Sequence, residues 1–101
     1  MAKDFAQPYR NVPYFGIWAD ETADDFGRRD ACAVIRDAVM RCYDEDMRTP
    51  DLSAALDYLT AHGVKDGIAR SFRAALDTPD PAARLIAARA VYDALGRALK
   101  G

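Results

Sequence analysis

The sequence predicts an all-α protein: a compact bundle of about four helices with an extended aromatic N-terminal arm packed across it. Apolar residues recur at helical spacing in four segments, and a capping residue stands before a proline at the start of two of them. No segment sustains the apolar–polar alternation of a half-buried strand. The chain has 101 residues, of which 50% are hydrophobic and 30% charged, enough for one buried core. We therefore expect a single helical domain over residues 1–101, with the arm in residues 1–20 and the bundle in residues 22–101.

The first helix is predicted over residues 23–43. Thr22 and Asp25 form a T-x-x-D capping pattern at its start. Gly27 weakens the early turns, so the start could instead lie nearer Arg28. Helical spacing places one set of residues on a buried face, namely Ala31, Ile35, Ala38, Val39 and Cys42. It places a charged set on the opposite face, namely Asp30, Asp37, Arg41 and Asp44.

The second and third helices are predicted mainly from their ends. Thr49 is an N-cap residue and Pro50 takes the first helical position. Gly63 is expected to end the second helix in the left-handed conformation, with Val64 as the apolar contact just beyond it. Asp66 is expected to cap the third helix. The predicted buried residues are Leu52, Ala55, Leu56 and Leu59 in the second helix, and Ile68, Phe72, Ala75 and Leu76 in the third.

The fourth helix begins with Asp80 as its cap and Pro81 at its first position. Its predicted buried face consists of Leu85, Ala88, Tyr92, Leu95 and Leu99. Its other face carries a charged stripe of Arg89, Asp93 and Arg97. Ile86 lies among these charges, and we expect it to be exposed. A single exposed apolar residue needs no explanation, but together with the aromatic arm Ile86 could belong to an interface with a partner.

The arm is the part of the chain that helical periodicity does not explain. Six of the ten aromatic residues precede the main apolar stripe of the first helix: Phe5, Tyr9, Tyr14, Phe15, Trp18 and Phe26. Prolines favour an extended path, although VPYFGIW could form a short strand. Either the arm covers an apolar groove of its own bundle, or it docks into another molecule, where Trp and Tyr are typical anchors. We favour intramolecular cover for Phe15 and Trp18, and keep Tyr9, Tyr14 and Trp18 as candidate partner contacts.

The charge distribution points to a protein partner with a basic surface. The net charge is −2, and the range 20–46 holds nine acidic against four basic residues. Within it, Asp44, Glu45 and Asp46 follow the first helix directly. The first interpretation is a solvated loop, the second a docking patch for a basic partner, and a weak divalent-ion site comes last because the segment lacks a turn glycine.

Cys32, Cys42 and His62 are predicted to have structural roles. On one helix the two cysteines would lie roughly 15 Å apart along the axis, too far for a disulfide. Cys42 falls within the buried stripe and Cys32 at its edge. His62 lies at a helix C-terminus, where an imidazole can interact with the last carbonyl groups. No cofactor or metal site is predicted.

A helix-turn-helix motif is the alternative interpretation of residues 52–76. Two short helices joined by a glycine turn fit that motif, and Lys65, Arg70 and Arg73 could contact DNA phosphates. The second helix of the pair lacks an Asn or Gln to read base edges, which counts against the motif.

The function expected from these features is a non-enzymatic protein–protein interaction module: an adaptor, a subunit or an inhibitor. Inhibitors of this size and charge include those that phages carry against host systems, an analogy of scale only. We expect a cytoplasmic protein that makes no membrane contact and binds another protein or forms a homodimer. Nucleic acid would be its partner only under the DNA-binding alternative. An enzyme with an unrecognised site ranks last, because the candidate acids and bases are scattered along the chain.

Overall fold

The computed structural model describes residues 26–100, which form four α-helices and no strand. The helices are α1 (Phe26–Arg41), α2 (Pro50–Ala61), α3 (Asp66–Leu76) and α4 (Pro81–Lys100). The all-α class is therefore confirmed for this part of the chain. The aromatic arm with Tyr9, Tyr14, Phe15 and Trp18, the VPYFGIW segment and the predicted capping pattern of residues 22–25 lie outside the described residues.

Most helix ends follow from the capping residues of the sequence. The Thr49 hydroxyl accepts a hydrogen bond of 3.1 Å from the backbone N–H of Leu52, and Pro50 opens α2. Gly63 has a φ of 104°, the left-handed conformation that lacks a steric penalty only in glycine. Beyond it, the N–H of Val64 donates to the Leu59 carbonyl at 2.9 Å, which completes the glycine-ended C-cap that the sequence predicts. Asp80 caps α4 in the same way as Thr49 caps α2, at 2.9 Å from the N–H of Ala83.

Two predictions about helix ends are wrong. Lys65, not Asp66, occupies the N-cap of α3, and its side chain makes no capping bond. Asp66 is the first helical residue, and its carboxylate pairs with Arg70 one turn later at 3.3 Å. The described part of α1 begins at Phe26, and α1 ends at Arg41, two residues before the predicted end.

The buried core matches the predicted stripes closely. Every residue predicted to be buried in α1 and α2 is buried, and so are Leu85, Ala88, Tyr92 and Leu95 of α4. Four residues differ from expectation. Cys32 is fully buried rather than at an edge, Ala69 takes the buried place expected for Ile68, and Ile68 is only half-buried. Leu99, near the end of α4, is also half-buried.

The helices are arranged as two hairpins, α1 with α2 and α3 with α4, each packed along its length. The hairpins meet mainly through α1 and α4, whereas α2 and α3 make fewer contacts with each other. One end of the bundle, here the Arg84 end, gathers the C-termini of α1 and α3 and the N-termini of α2 and α4. The opposite end, here the His62 end, holds the α2–α3 turn, the start of α1 and the end of α4. No helix within residues 26–100 is long and apolar enough to span a membrane.

Candidate interaction surfaces

Arg84 joins the two helical hairpins through backbone carbonyl groups. Its Nε donates to the carbonyl of Cys42 at 2.6 Å, and its Nη2 donates to that of Tyr43 at 3.2 Å. Its Nη1 donates to the carbonyls of Thr78 at 3.2 Å and Pro79 at 3.4 Å. These carbonyls belong to the segments that follow α1 and α3. The half-buried guanidinium therefore joins the two segments that leave these helices.

Sequence reasoning missed Arg84, although one signal for it exists. Arg84 lies four residues after the cap Asp80, near the positive end of the α4 dipole, where a cation is unfavourable. A cation in that position indicates that it has partners elsewhere in the fold. Which carbonyls it meets depends on residues more than forty positions away, which a local pattern cannot reveal.

A groove between α1 and the start of α2 is the surface with the clearest chemical character. This α1–α2 groove has a volume of about 440 Å³. Its apolar part includes Val34, Met47 and Leu52, of which the first two are half-buried. Four carboxylates line it against one guanidinium, a net charge of −3: Asp37, Glu45, Asp46 and Asp51, with Arg41. The groove thus combines apolar contact area with an acidic lining.

The predicted acidic cluster forms part of this lining. Asp44, Glu45 and Asp46 are exposed in the loop after α1, as the solvated-loop interpretation requires. Arg41 holds Glu45 with two hydrogen bonds of 2.8 Å and also donates to Asp37 at 3.1 Å. These bonds lower the pKa of Glu45 and raise that of Arg41. Arg41 therefore holds the carboxylates of Asp37 and Glu45 in position along the groove.

Arg48 organises the neighbouring carboxylate. It donates to both oxygens of Asp46, at 2.9 and 3.0 Å, and reaches Asp77 after α3 at 3.1 Å. The hydrogen bonds from Arg48 lower the pKa of Asp46 to about 2. This arginine ties the α1–α2 loop to the other hairpin, alongside Arg84.

Ile86 is exposed, as the sequence predicts. Half of its surface is accessible, and it is the one large hydrophobic side chain exposed to this degree among the residues whose burial the structure describes. It lies on the outer face of α4, beside the Arg89–Asp93 ion pair of 3.2 Å. The structure does not bring Ile86 together with the acidic cluster, which belongs to α1 and the loop after it.

The three residues named for DNA binding lie on α3 and at its start. Arg73 donates to Asp57 of α2 at 2.9 Å, and Arg70 pairs with Asp66. Because acidic partners neutralise part of this positive charge, the arrangement offers no particular support for phosphate contacts. The DNA-binding role of Lys65, Arg70 and Arg73 stays a prediction.

Cys32 and Cys42 are both buried and are not joined in a disulfide, which agrees with their predicted structural role. Burial raises the pKa of the Cys42 thiol, although the charge of Arg84 opposes this effect. A raised pKa lowers the thiolate fraction at neutral pH and hence the reactivity of the side chain. The Cys42 Sγ is 3.4 Å from the Val39 carbonyl, as a weak donor within the helix.

His62 occupies the C-cap of α2, and its backbone N–H makes the capping bonds. Its ring stacks on Tyr58, with 4.0 Å between the ring centroids. Tyr58 in turn lies against the start of α1: a Cβ on Gly27 would lie 2.9 Å from Cε2 of Tyr58 and closer still to Cζ. Gly27 therefore allows an approach of the two helices that sequence reasoning did not foresee.

A second large groove lies at the His62 end, between the α2–α3 turn and the end of α4. This His62 groove has a volume of about 500 Å³ and is lined by His62, Gly63, Val64, Lys65, Ile68, Ala98 and Leu99. Val64 is buried, while Ile68 and Leu99 are half-buried and partly open to the groove. In contrast to the α1–α2 groove, its charged side chain is a lysine.

Within residues 26–100, no group of three or more His, Cys, Asp and Glu side chains is arranged to hold a metal ion. Comparison with protein-family models, with curated proteins and with solved structures gave no significant match to this chain.

Proposed function

We propose that this protein is a non-enzymatic protein–protein interaction module, an adaptor, subunit or inhibitor, and that the α1–α2 groove contacts its partner. The observation that carries this proposal is the combination of an apolar floor with an acidic lining in one groove of about 440 Å³. Protein contacts commonly combine such apolar area with charges at the rim, which direct the encounter and set its orientation.

The partner that fits this groove is a basic amphipathic segment of another protein. Its apolar residues would contact Val34 and Met47, and its lysines or arginines would face Asp37 and Asp51. Asp37 and Asp51 lie on different helices, α1 and α2, so a basic segment would bridge both walls of the groove. The net charge of −3 around the groove would speed association with such a segment at low ionic strength.

The remaining parts of the proposal concern residues and properties beyond this groove. The aromatic arm packs on its own bundle through Phe15 and Trp18, and Tyr9, Tyr14 and Ile86 supply further partner contacts. The protein works in the cytoplasm, where the thiols of Cys32 and Cys42 stay reduced. Intramolecular packing is favoured because so many aromatic side chains left in water would promote aggregation.

Site-specific photo-cross-linking in the native host tests the groove. A photoreactive amino acid is placed at Ala33 or at Asp51, on the two walls of the groove, and in the control at Ala90, exposed on α4. The expected result is one protein with a basic segment, cross-linked from both groove positions and not from the control. Because exposed charges are screened by salt, the yield should fall as ionic strength rises.

Charge reversal in the groove tests whether its carboxylates are needed for the cross-link. Asp37→Lys with Asp51→Lys should abolish the cross-link from position 33, whereas reversal of Asp57, an acidic residue of α2 outside the groove, should leave it intact. Adducts that appear equally from position 90, or that survive the double reversal, would refute the groove as the binding surface. An adduct with a second copy of the chain would replace the basic partner by a homodimer.

A further inference from the structure

We propose that the indole of Trp18 occupies the His62 groove of its own bundle, where it contacts Ile68 and Leu99. This inference rests on the intramolecular packing of the arm proposed above, and it adds which groove receives the arm and which side chain fills it. In this position the indole would cover an apolar surface that the helices within residues 26–100 leave partly exposed.

The first argument is where the arm must begin. Residues 1–25 precede α1, and the start of α1 lies at the His62 end because Gly27 approaches Tyr58. Tyr58 stacks on His62, and His62 lines the groove. Two side chains thus connect the start of α1 with the groove.

The second argument is reach. Eight residues separate Trp18 from Phe26 in sequence, and an extended chain covers at most ~3.3–3.6 Å per residue, so the segment spans up to about 26–29 Å. That length crosses the width of a helix, about 10–12 Å, with residues to spare. The groove is within reach even if part of the segment is not extended.

The third argument is charge, which separates the two large grooves. The residues between Trp18 and α1 include Asp20, Glu21, Asp24 and Asp25 and no basic residue. The α1–α2 groove has a net charge of −3 and would repel this segment, whereas the His62 groove presents Lys65. A third groove, lined in part by Arg48 and Asp77, lies at the Arg84 end, away from the start of α1.

The fourth argument is size and chemistry. A tryptophan side chain is among the largest apolar groups, and aromatic residues bury about 150–250 Å² each when they pack. The groove offers about 500 Å³ next to Val64, Ile68 and Leu99, an apolar wall with His62 and Lys65 close by. An indole has an apolar body and one polar N–H group, which suits a partly open groove of this kind.

Trp18 is the only tryptophan of the chain, so its fluorescence reports directly on this site. In the full-length protein, we expect emission blue-shifted from that of the urea-unfolded chain and protection from acrylamide quenching. Leu99→Ser should shift the emission to the red and remove the protection, while Ile86→Ser, on the outer face of the same helix, should change neither. Circular dichroism should show that both variants remain helical.

A disulfide provides a positive test that does not depend on weakening the fold. Trp18→Cys combined with Leu99→Cys should form an intramolecular disulfide on mild oxidation, because the two positions would lie in contact. The native cysteines are buried and should not compete. Trp18→Cys combined with Ile86→Cys is the control and should not form one.

The possible results distinguish the assignment of Trp18 to this groove from the more general proposal that the arm packs on its own bundle. Unfolded-like emission in the wild type would overturn both the packing of the arm and its assignment to this groove. Blue-shifted emission that Leu99→Ser leaves unchanged, with no 18–99 disulfide, would place Trp18 on another surface and overturn the assignment alone. A disulfide between two chains instead of within one would also overturn it.

Discussion

The two ends of the bundle are held together by different kinds of interaction. At the Arg84 end, Arg84 and Arg48 form hydrogen bonds that link both hairpins through carbonyls and carboxylates. At the His62 end, the contacts are the stacked rings of Tyr58 and His62, the close approach at Gly27, and a groove with half-buried Ile68 and Leu99. Directional hydrogen bonds therefore fix one end, while shape and apolar contact define the other.

This difference suggests a division of roles between the ends. Fork-like hydrogen bonds from an arginine fix distances and angles between elements, which suits the end that must keep two hairpins in register. An apolar groove can instead accept a further segment, because apolar contact is not directional. The polar end thus fixes the relative position of the two hairpins, and the apolar end holds the groove that we propose as the site for Trp18.

The largest expected effect comes from breaking the Arg84 end. Arg84→Ala leaves four carbonyl groups without their charged donor, and we expect a loss of about 3 kcal/mol of unfolding free energy. Arg84→Lys should recover only part of it, since an ammonium group cannot reproduce the planar fork. Urea denaturation measures both, with Arg97→Ala, an exposed arginine of the same helix, as the control. If Arg84→Ala were as stable as the control, the four hydrogen bonds of Arg84, here the Arg84 clasp, would contribute nothing to stability.

A smaller loss of unfolding free energy is expected at the His62 end, from a steric overlap rather than from lost hydrogen bonds. Gly27→Ala adds a methyl group that overlaps the Tyr58 ring, and we expect the protein to be less stable by about 1–2 kcal/mol. In a Tyr58→Ala background the overlap disappears, and the same substitution should stabilise α1 by up to about 1 kcal/mol through helix propensity. Urea denaturation of the wild type, the two single variants and the double variant measures whether the effect of Gly27→Ala on unfolding free energy changes sign. Destabilisation in both backgrounds would mean that Tyr58 is not the neighbour that requires glycine.

The smallest effect concerns the exposed pair of Asp46 and Arg48. Because the folded-state pKa of Asp46 is about 2, below its ordinary value of 3.8, the pair adds stability above pH 3.8 that is lost as the pH falls to about 2. Arg48→Gln should reduce the loss of stability in that window, measured as urea midpoints at a series of pH values. Arg97→Gln, which removes an exposed charge of the same sign, should keep the full acid dependence. Equal pH profiles for the wild type and Arg48→Gln would refute the assignment.

Sequence reasoning was accurate where structure depends on neighbours along the chain. The caps at Thr49, Gly63 and Asp80 and the apolar stripes act within one or two helical turns, so a local pattern contains them. It failed at Asp66, which is the first residue of the helix rather than its cap, and whose carboxylate pairs with Arg70. These errors amount to one or two residues at a helix end.

The candidate surfaces were less predictable, because each joins residues that are distant in sequence. The exposure of the acidic loop and of Ile86 followed from helical periodicity. The apolar floor beside that loop and the His62 groove did not, since each is formed by side chains from different helices. Arg84 and Gly27 were missed for the same reason: their partners are fixed only by the tertiary arrangement of the helices.

The span of the Arg84 clasp has a consequence for the order in which the chain folds. Arg84 bonds to carbonyls 41 and 42 residues earlier, whereas each hairpin is built from helices that are adjacent in sequence. Contacts between distant residues require the closure of a long loop and tend to form after local ones. We therefore expect the hairpins to associate before the clasp closes, so that Arg84→Ala accelerates unfolding far more than it slows refolding. The hydrogen bonds of Arg84 would then act mainly by lowering the unfolding rate of the bundle.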